Sequence, residues 1–409
     1  RCNMLLFSVL RKYSGSSQSS ADAFSRDEFG LRANLRRLLR MLLDRSLRVP
    51  LSPPSDPKKT VSPEALWLLP HLVSMDKENP AVNAFTFRLL SEMPHCIPFS
   101  ARVACLRQFI SLDRKKYSVD KVKYGMKIRR SHCLQDGFLQ FMKIPASEAP
   151  ALLRARLHIE FIDVHNRAEA GIDAGGVFKE FLEQLLKEAF SPKYGLFVEA
   201  PDSGLLYPNP YATRLFGSEQ EALQNFMFLG RVLGKAIFEG VVVDLPFAPF
   251  FLNNILGRGN CLDDLRILDR QQHEALLMLK EMEDAADAYV FFSVEEDVMG
   301  ELVVTDIIED GRDIQVTNDN VVKYLHLVAH HRLVKSTERA TDAFVRGLHD
   351  LLDRGWLGCF NAQELQQLVS GERGVGINVE SLKKHTKIVG GYKEESRTLQ
   401  LLWEVLAEL

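Results

Sequence analysis

The sequence predicts a mainly α-helical fold of the α+β class, in which small β elements are inserted among the helices. Long segments place apolar residues at intervals of three and four, as amphipathic helices do. Two short runs, at residues 290–294 and 302–305, have the β-branched and aromatic composition of strands. In addition, 46% of the 409 residues are hydrophobic, which is enough to form sizeable cores. These observations predict two or three domains in which helices dominate.

The charge balance gives the chain as a whole no bias toward nucleic acid or anionic membranes, because 51 Lys and Arg stand against 54 Asp and Glu. No membrane span is expected, since no stretch of about 18 apolar residues runs unbroken. Residues 241–256 come nearest, and Asp244, Pro246 and Pro249 interrupt them. Any partner preference must therefore come from local patches.

The six cysteines are scattered along the chain without a Cys-x-x-Cys pair, which argues against a disulfide scaffold and against a zinc ribbon. Reduced thiols of this kind are typical of cytoplasmic or nuclear proteins, and this is the expected location. The chain begins at Arg1 rather than Met and has no signal-peptide pattern, so we expect it to be a fragment whose natural N-terminus lies upstream.

Residues 1–121 are expected to form an upstream helical region. Leucines recur on one face of residues 31–43 with arginines on the other, which predicts an amphipathic helix with a solvated basic face. Five prolines in residues 50–63 predict a linker. Residues 114–130 carry eight basic side chains against one acid and two interleaved tyrosines, a pattern that fits a nucleic-acid surface or a linker into the next domain. Without a recognised binding module the linker is favoured, and no nucleic-acid partner is expected.

The second half of the chain mixes helices with short strands. Apolar residues at helical spacing predict one helix over 177–190 and another over 226–238. In the second of these, Gly230 and Gly234 fall on one face and would let a neighbouring helix approach closely. The two predicted strands, 290–294 and 302–305, are separated by a turn at Met299 and Gly300.

Residues 281–310 form a strongly negative segment that contains both predicted strands. It carries eleven acidic side chains and no Lys or Arg. Two interpretations remain open at this point. The acids form an ordinary solvated surface, or they steer a basic protein partner toward an apolar groove.

No catalytic, metal or cofactor site is expected from the motifs that resemble one. The glycines around Lys235 have three residues between them, and Ala236 follows the lysine, so the segment fails as a phosphate-binding loop. His326 and His330 lie one helical turn apart but lack the glutamate of a metalloprotease. Cys359 precedes Phe and Asn, as a thioester cysteine does in one ligase family, but it follows Gly rather than Thr, so we interpret it as a structural thiol.

A series of short stretches resembles, in order, the N-terminal lobe of the HECT-type ubiquitin ligase domain. Residues 171–181, GIDAGGVFKEF, resemble the signature near the start of that domain. The others are IRRS at 128–131, LYPNP at 206–210, FLGRVLGKA at 228–236, VTNDN at 316–320, ELQQLVSG at 364–371, GGY at 390–392 and Trp403. DVMG at 297–300 and KKHT at 383–386 look most like the branch of the family that carries an upstream IQ motif.

The resemblance implies a large helical subdomain plus a small subdomain that binds a ubiquitin-conjugating enzyme through an apolar groove. By position, the lobe spans 122–409 and the small subdomain roughly 276–325, which contains the acidic segment that the charge pattern identifies independently. The residues expected to line the groove are Leu276, Leu279, Met282, Val290 and Tyr324. The sequence departs from the common family pattern at Met282, where an aromatic residue is usual.

The resemblance also implies a relay in which ubiquitin passes from the conjugating enzyme to a ligase cysteine and then to a lysine of a protein substrate. In the family that cysteine lies in a C-terminal lobe, after a tryptophan matched here by Trp403, and the chain ends at Leu409. We therefore expect this chain to lack the C-terminal catalytic lobe and to be inactive alone. The alternative is a non-catalytic scaffold that binds a conjugating enzyme.

Overall fold

The fold is known from a computed structural model, which describes residues 97–117, 123–144, 148–163, 176–298, 300–371 and 396–408, with isolated positions between 90 and 393. The predicted helix at 31–43, the predicted linker at 50–63 and the glycine turn at 171–175 lie outside the described residues. Most of the predicted lobe, residues 122–409, lies within them.

Helices make up most of the structure, as the sequence predicts. Five short 3₁₀ turns accompany them among the described residues, at Arg130–His132, Pro192–Tyr194, Ala285–Ala288, Gly311–Asp313 and Lys335–Thr337. The α-helices are α1 (Phe99–Lys116), α2 (Cys133–Met142), α3 (Ala149–Arg154), α4 (Gly176–Ala189), α5 (Ala212–Leu215), α6 (Glu219–Glu239), α7 (Pro249–Ile255), α8 (Leu262–Leu268), α9 (Arg270–Glu281), α10 (Val321–Leu333), α11 (Glu338–His349), α12 (Arg354–Leu357), α13 (Ala362–Ser370) and α14 (Arg397–Glu408).

The strands of the described residues form three separate two-stranded sheets. β1 (Lys123–Arg129) pairs in parallel with β2 (Arg156–Ile162), whereas β3 (Phe197–Glu199) and β4 (Leu206–Pro208) are antiparallel. β5 (Ser293–Val298) and β6 (Glu301–Asp306) form an antiparallel hairpin that turns at Gly300, whose φ is +89°. The predicted fold class, mainly α with small β elements, is confirmed.

A single hydrophobic cluster runs through the described residues, and α6 lies at its centre. Its N-terminus is capped by Ser218, whose side chain accepts a hydrogen bond from the Glu221 N–H, and it ends at Gly240 in the left-handed conformation. Phe226 and Phe228 of α6 are completely buried. The core is thus organised around one long helix.

Glycines allow α6 and α11 to cross in backbone contact. A Cβ placed on Gly230 would lie 1.9 Å from the Phe344 carbonyl oxygen, and one placed on Gly347 would lie 1.9 Å from the Met227 carbonyl oxygen. Only glycine fits at either point of this crossing. The close approach predicted for the glycine face of 226–238 is therefore confirmed at Gly230.

α1 belongs to the same core as the later helices. Cys105, Leu106 and Phe109 of α1 are buried in the shared hydrophobic cluster. The buried Arg102 guanidinium donates to the Cys359 carbonyl oxygen (2.6 Å) and to a Glu364 carboxylate oxygen (2.7 Å). The predicted boundary between upstream region and lobe, at residue 121, thus falls between elements that pack together.

The first predicted strand is displaced along the chain. Residues 290–292 make a single isolated bridge, Phe291 to Gln315, and regular pairing begins only at Ser293. The reason is local, because Tyr289 adopts the left-handed conformation (φ 50°, ψ 38°) and turns the chain just before this segment. The second predicted strand, 302–305, lies within β6.

Candidate functional site

The candidate site lies on the small subdomain, a name we keep for residues 276–325, and side-chain amides hold its segments together. The Asn318 side chain accepts from the Ala285 N–H (2.7 Å) and donates to the Glu283 carbonyl oxygen (2.7 Å). The Gln315 amide donates to the Ala286 carbonyl oxygen (2.8 Å). The VTNDN stretch therefore ties the loop after α9 to the start of α10.

Large apolar side chains remain exposed on α9 and on the segment that follows it. Met278 is 67% exposed and Met282, one helical turn later, is 38% exposed. Tyr289 is 78% exposed and Phe291 37% exposed on the segment that runs beside residues 314–316. The Val316 N–H donates to the Val290 carbonyl oxygen (2.8 Å), which fixes that segment in place. Several exposed apolar groups on one small unit are typical of a protein-binding surface.

Tyr289 combines exposure with backbone strain. Its φ of 50° is unusual for a bulky residue and costs on the order of 1–2 kcal/mol. Burial of the ring does not offset this cost, since most of the ring faces solvent. Strain that is retained at an exposed aromatic residue is a feature of binding and catalytic sites.

The surroundings of these apolar groups are acidic. Glu281, Glu283, Asp284 and Asp287 are all exposed, and no Lys or Arg occurs between residues 281 and 310. We call Met278, Met282, Tyr289 and Phe291, together with these four acids, the acidic apolar surface. Its charge favours a basic partner.

The five residues predicted to line the groove occupy different depths. Leu276, Leu279 and Tyr324 are 6%, 7% and 7% exposed, so they lie beneath the surface rather than on it. The Tyr324 ring packs edge-to-face on Phe292, with ring centroids 5.4 Å apart. Val290 is half-buried and Met282 is exposed.

Sequence reasoning missed three of the exposed groups, Met278, Tyr289 and Phe291. Met278 is apolar but lies outside the helical stripe that Leu276 and Leu279 share. That position alone could have predicted that its side chain is exposed. The exposure of Tyr289 follows from its left-handed backbone, which the sequence does not reveal.

Glu296 anchors the β5–β6 hairpin to the rest of the molecule. Its largely buried carboxylate forms an ion pair with Arg332 at the end of α10, lies 4.0 Å from the His331 ring and accepts a hydrogen bond from Tyr211. The nearby His331 ring, the Tyr211 hydroxyl and the Arg332 guanidinium together outweigh the effect of burial and lower the pKa of Glu296 to about 2. Burial and this carboxylate together raise the pKa of Tyr211.

The buried cysteines are not activated as nucleophiles. Cys359 is 4% exposed, its Sγ donates to the Trp356 carbonyl oxygen (3.3 Å), and burial raises the pKa of its thiol to about 12. Burial likewise raises the pKa of Cys133 to about 12. A thiol that stays protonated at neutral pH is a poor nucleophile, so the structure agrees with the interpretation of Cys359 as a structural thiol.

The described part of the chain holds neither a metal centre nor a membrane span. There, His, Cys, Asp and Glu side chains form no group of three or more that is placed to hold a metal ion, and His326 and His330 are exposed on α10. No helix within the described ranges combines the length and the apolar character needed to cross a bilayer.

Comparison with known proteins gives a consistent family. The family model described as HECT-domain (ubiquitin-transferase) matches residues 183–409. Ubiquitin-protein ligase E3B from Homo sapiens is 34% identical over 370 residues, covering 86% of this chain and 33% of the relative. E3 ubiquitin-protein ligase UPL6 from Arabidopsis thaliana is 34% identical over 321 residues (78% of this chain, 30% of the relative), and E3 ubiquitin-protein ligase HUL5 from Saccharomyces cerevisiae is 33% identical over 375 residues (82% and 40%). The chain thus spans between 30% and 40% of the length of these curated relatives.

Proposed function

Because the chain belongs to the HECT-domain (ubiquitin-transferase) family, we propose that its small subdomain docks a ubiquitin-conjugating enzyme. We propose further that the whole protein accepts ubiquitin from that enzyme and transfers it to lysine side chains of protein substrates. The partners are then a ubiquitin-conjugating enzyme, ubiquitin and the substrates.

The observation that carries the docking proposal is the acidic apolar surface. Met278, Met282, Tyr289 and Phe291 present apolar area without a covering element among the described residues. Their acidic surroundings favour a partner with an apolar contact loop and a basic rim, because charge complementarity speeds encounter and fixes orientation.

Leu276, Leu279 and Tyr324 take a supporting role in this proposal. They are buried on α9 and α10, and they hold α9 in place. α9 in turn carries Met278 and is followed directly by Met282. Val290 and Met282 contact the partner at the edge of the same surface. All five predicted residues therefore contribute, three of them from below.

The proposed transfer proceeds through a thioester on a cysteine of the protein. A thiolate attacks the thioester carbonyl of the conjugating enzyme and displaces that enzyme's thiolate, and the substrate amine later displaces the ligase sulfur. Cys105, Cys133 and Cys359 do not serve this step, because each is buried and burial raises the pKa of each thiol. The nucleophile is proposed to lie in a C-terminal lobe that follows α14.

Finer assignments are part of the same proposal. The stretches at 297–300 and 383–386 favour the branch of the family that carries an upstream IQ motif. The large and small subdomains are proposed to lie within 122–409, with residues 1–121 upstream. The six cysteines are scattered, and the four that the structure describes form no disulfide, which favours a cytoplasmic or nuclear location.

The docking proposal is tested by measuring the affinity of the 409-residue chain for a panel of purified ubiquitin-conjugating enzymes by titration calorimetry. Met282→Ala and Tyr289→Ala should each weaken binding by about 1–3 kcal/mol, because a central apolar anchor is worth that much. Val242→Ala, which shortens a valine that is 49% exposed between α6 and α7 and lies outside the small subdomain, is the matched control and should bind as the parent chain does.

Tyr324→Ala is expected to weaken binding by a similar amount, but the residue is buried. Its thermal unfolding must therefore be measured alongside, so that loss of folding is separated from loss of docking. Unchanged affinity in both Met282→Ala and Tyr289→Ala would remove the acidic apolar surface as the docking site.

A further inference from the structure

β6 is unusual in how little of it is buried. Leu302 is 69% exposed and Val304 is 36% exposed, and no residue of the strand is fully buried. Its partner strand β5, in contrast, buries Val294 and Val298. Val304 lies opposite Glu295 in the hairpin, and directly opposite residues share one face of the sheet. Leu302, two residues before Val304, lies on that same outer face, so both apolar side chains are beside an exposed acid.

The backbone of β6 is also unpaired on one side. Among the described residues its only strand partner is β5. Phe292 and Ile307 continue the register of the hairpin and form a hydrogen-bonded pair, in which the Ile307 N–H donates to the Phe292 carbonyl oxygen (3.0 Å). In an antiparallel ladder such pairs alternate with non-bonded pairs. Leu302 and Val304 therefore occupy non-bonded pairs and direct their N–H and C=O groups away from β5.

Such an edge is a template for a further strand. Proteins normally protect edge strands with proline, lysine, a bulge or a covering element. The sequence of β6, ELVVTD, contains no proline and no lysine, and its pairing with β5 is unbroken from Glu301 to Asp306. Among the described residues, the central part of this edge is thus apolar and has no further strand beside it.

The charge around the hairpin defines what the edge can accept. Glu296 is turned inward, and apart from it residues 293–312 carry six acids and one base, Arg312. Arg312 is paired with Asp306, and Arg214 lies 3.8 Å from Glu301, so two guanidiniums offset part of this charge. The net charge remains negative, which disfavours pairing of β6 with a second copy of itself and favours a basic strand.

We propose that the outer edge of β6 accepts an extended, basic segment of a protein partner as a third strand. The backbone of that segment pairs with Leu302 and Val304, its apolar side chains lie beside theirs, and its Lys or Arg side chains face the surrounding carboxylates. None of the five residues predicted for conjugating-enzyme docking belongs to this hairpin. The hairpin lies within the small subdomain, but because it shares no residue with that set, strand addition is tested separately from docking of the conjugating enzyme.

The test uses a fluorescein-labelled eight-residue peptide of alternating Val and Lys, titrated with the 409-residue chain by fluorescence anisotropy. Saturable binding is expected, with at least tenfold weaker affinity for Val304→Lys and for Leu302→Lys. Val322→Lys places the same charge at an exposed valine of α10 and should bind as the parent chain does. Thermal unfolding is expected to be unchanged in all three variants, because each replaces an exposed side chain.

Two further probes separate strand addition from charge attraction alone. A peptide with alternate N-methylated amides keeps its charge but cannot pair along its edge, so it should bind at least tenfold more weakly, and a Val–Glu peptide should not bind. Amide exchange at Leu302 and Val304 should slow when the Val–Lys peptide is added.

The proposal is overturned if the parent chain shows no saturable binding, or if Val304→Lys and Leu302→Lys bind as the parent chain does. Equal binding of the N-methylated peptide also overturns it. So does sedimentation that reveals a dimer which Val304→Lys abolishes, because the edge would then be occupied by a second copy of the chain.

Discussion

Replacing Gly347 by alanine tests whether the crossing of α6 and α11 organises the core. The added Cβ would lie 1.9 Å from the Met227 carbonyl oxygen, 2.8 Å from its carbonyl carbon and 3.0 Å from the Arg231 nitrogen. Carbon and oxygen atoms that are not bonded approach to about 3.3 Å, so the helices must separate by roughly 1 Å or more. The obstacle is backbone, which cannot rotate out of the way as a side chain can.

The expected loss of unfolding free energy is about 3 kcal/mol or more. Overpacking a core with a methyl group costs about 1–3 kcal/mol when side chains can adjust. Here a gap of this size would also forfeit a quarter to a half of the contact energy along the crossing, where Phe226, Phe228 and Phe344 are completely buried. The helix propensity of alanine returns only about 1 kcal/mol.

The assay is equilibrium unfolding in guanidinium chloride, with Gly176→Ala as the control. Gly176 begins α4 and a Cβ there meets nothing within 4 Å, so its replacement should change stability by no more than about 0.5 kcal/mol. The double variant Gly230→Ala with Gly347→Ala should lose less than the sum of the single variants, since one separation of the helices accommodates both methyl groups. A loss below about 1 kcal/mol for Gly347→Ala, with additive behaviour in the double variant, would refute the reasoning.

Three further predictions concern ion pairs and thiols. Arg102→Ala should lower the unfolding free energy by about 3–5 kcal/mol, because it leaves Glu364 without its buried partner. The control Arg270→Ala breaks an exposed ion pair and should leave the midpoint of guanidinium unfolding unchanged. Equal effects of the two replacements would contradict this expectation. The pKa of Glu296 is lowered from 4.5 to about 2, so its contribution is complete above pH 4.5 and is lost as the pH falls through 2. Unfolding free energies measured across that window should therefore fall more steeply with decreasing pH for the parent chain than for Glu296→Gln, and parallel curves would count against the Glu296 network. Iodoacetamide should label Cys359 only after unfolding, because burial raises the pKa of its thiol to about 12. Mass spectrometry measures the labelling, and rapid labelling of the native chain would show that the thiol is accessible.

The sequence predicts the helices of this fold well and its strand edges less well. The helix predicted over 177–190 corresponds to α4, and the segment 226–238 lies within α6, because both carry long apolar stripes. The strand predicted at 290–294 was displaced because its start depends on the left-handed backbone of Tyr289, which no local pattern announces. The backbone conformation of one residue therefore decides where this short strand begins.

The candidate site was predictable by region but not by depth. The acidic segment and the resemblance to the HECT family both pointed to residues 276–325. Periodicity identifies which residues share a face, yet it does not tell whether that face meets a partner or the core. Leu276 and Leu279 share a face that turns inward, whereas Met278 and Met282, one turn apart, face outward.

The packing of α1 shows that the hydrophobic core of this lobe extends to residues that precede the family-model match. The family match begins at residue 183, in the middle of α4, whereas the shared core already includes Phe109 of α1 and Phe141 of α2. A chain cut at residue 183 would lose the partners of Phe228, whose ring contacts Phe138 at 5.3 Å and Phe141 at 5.6 Å. Anyone who isolates this lobe for binding studies should therefore start no later than residue 97, because a piece that begins at residue 183 keeps the residues matched by the family model but loses part of their hydrophobic core.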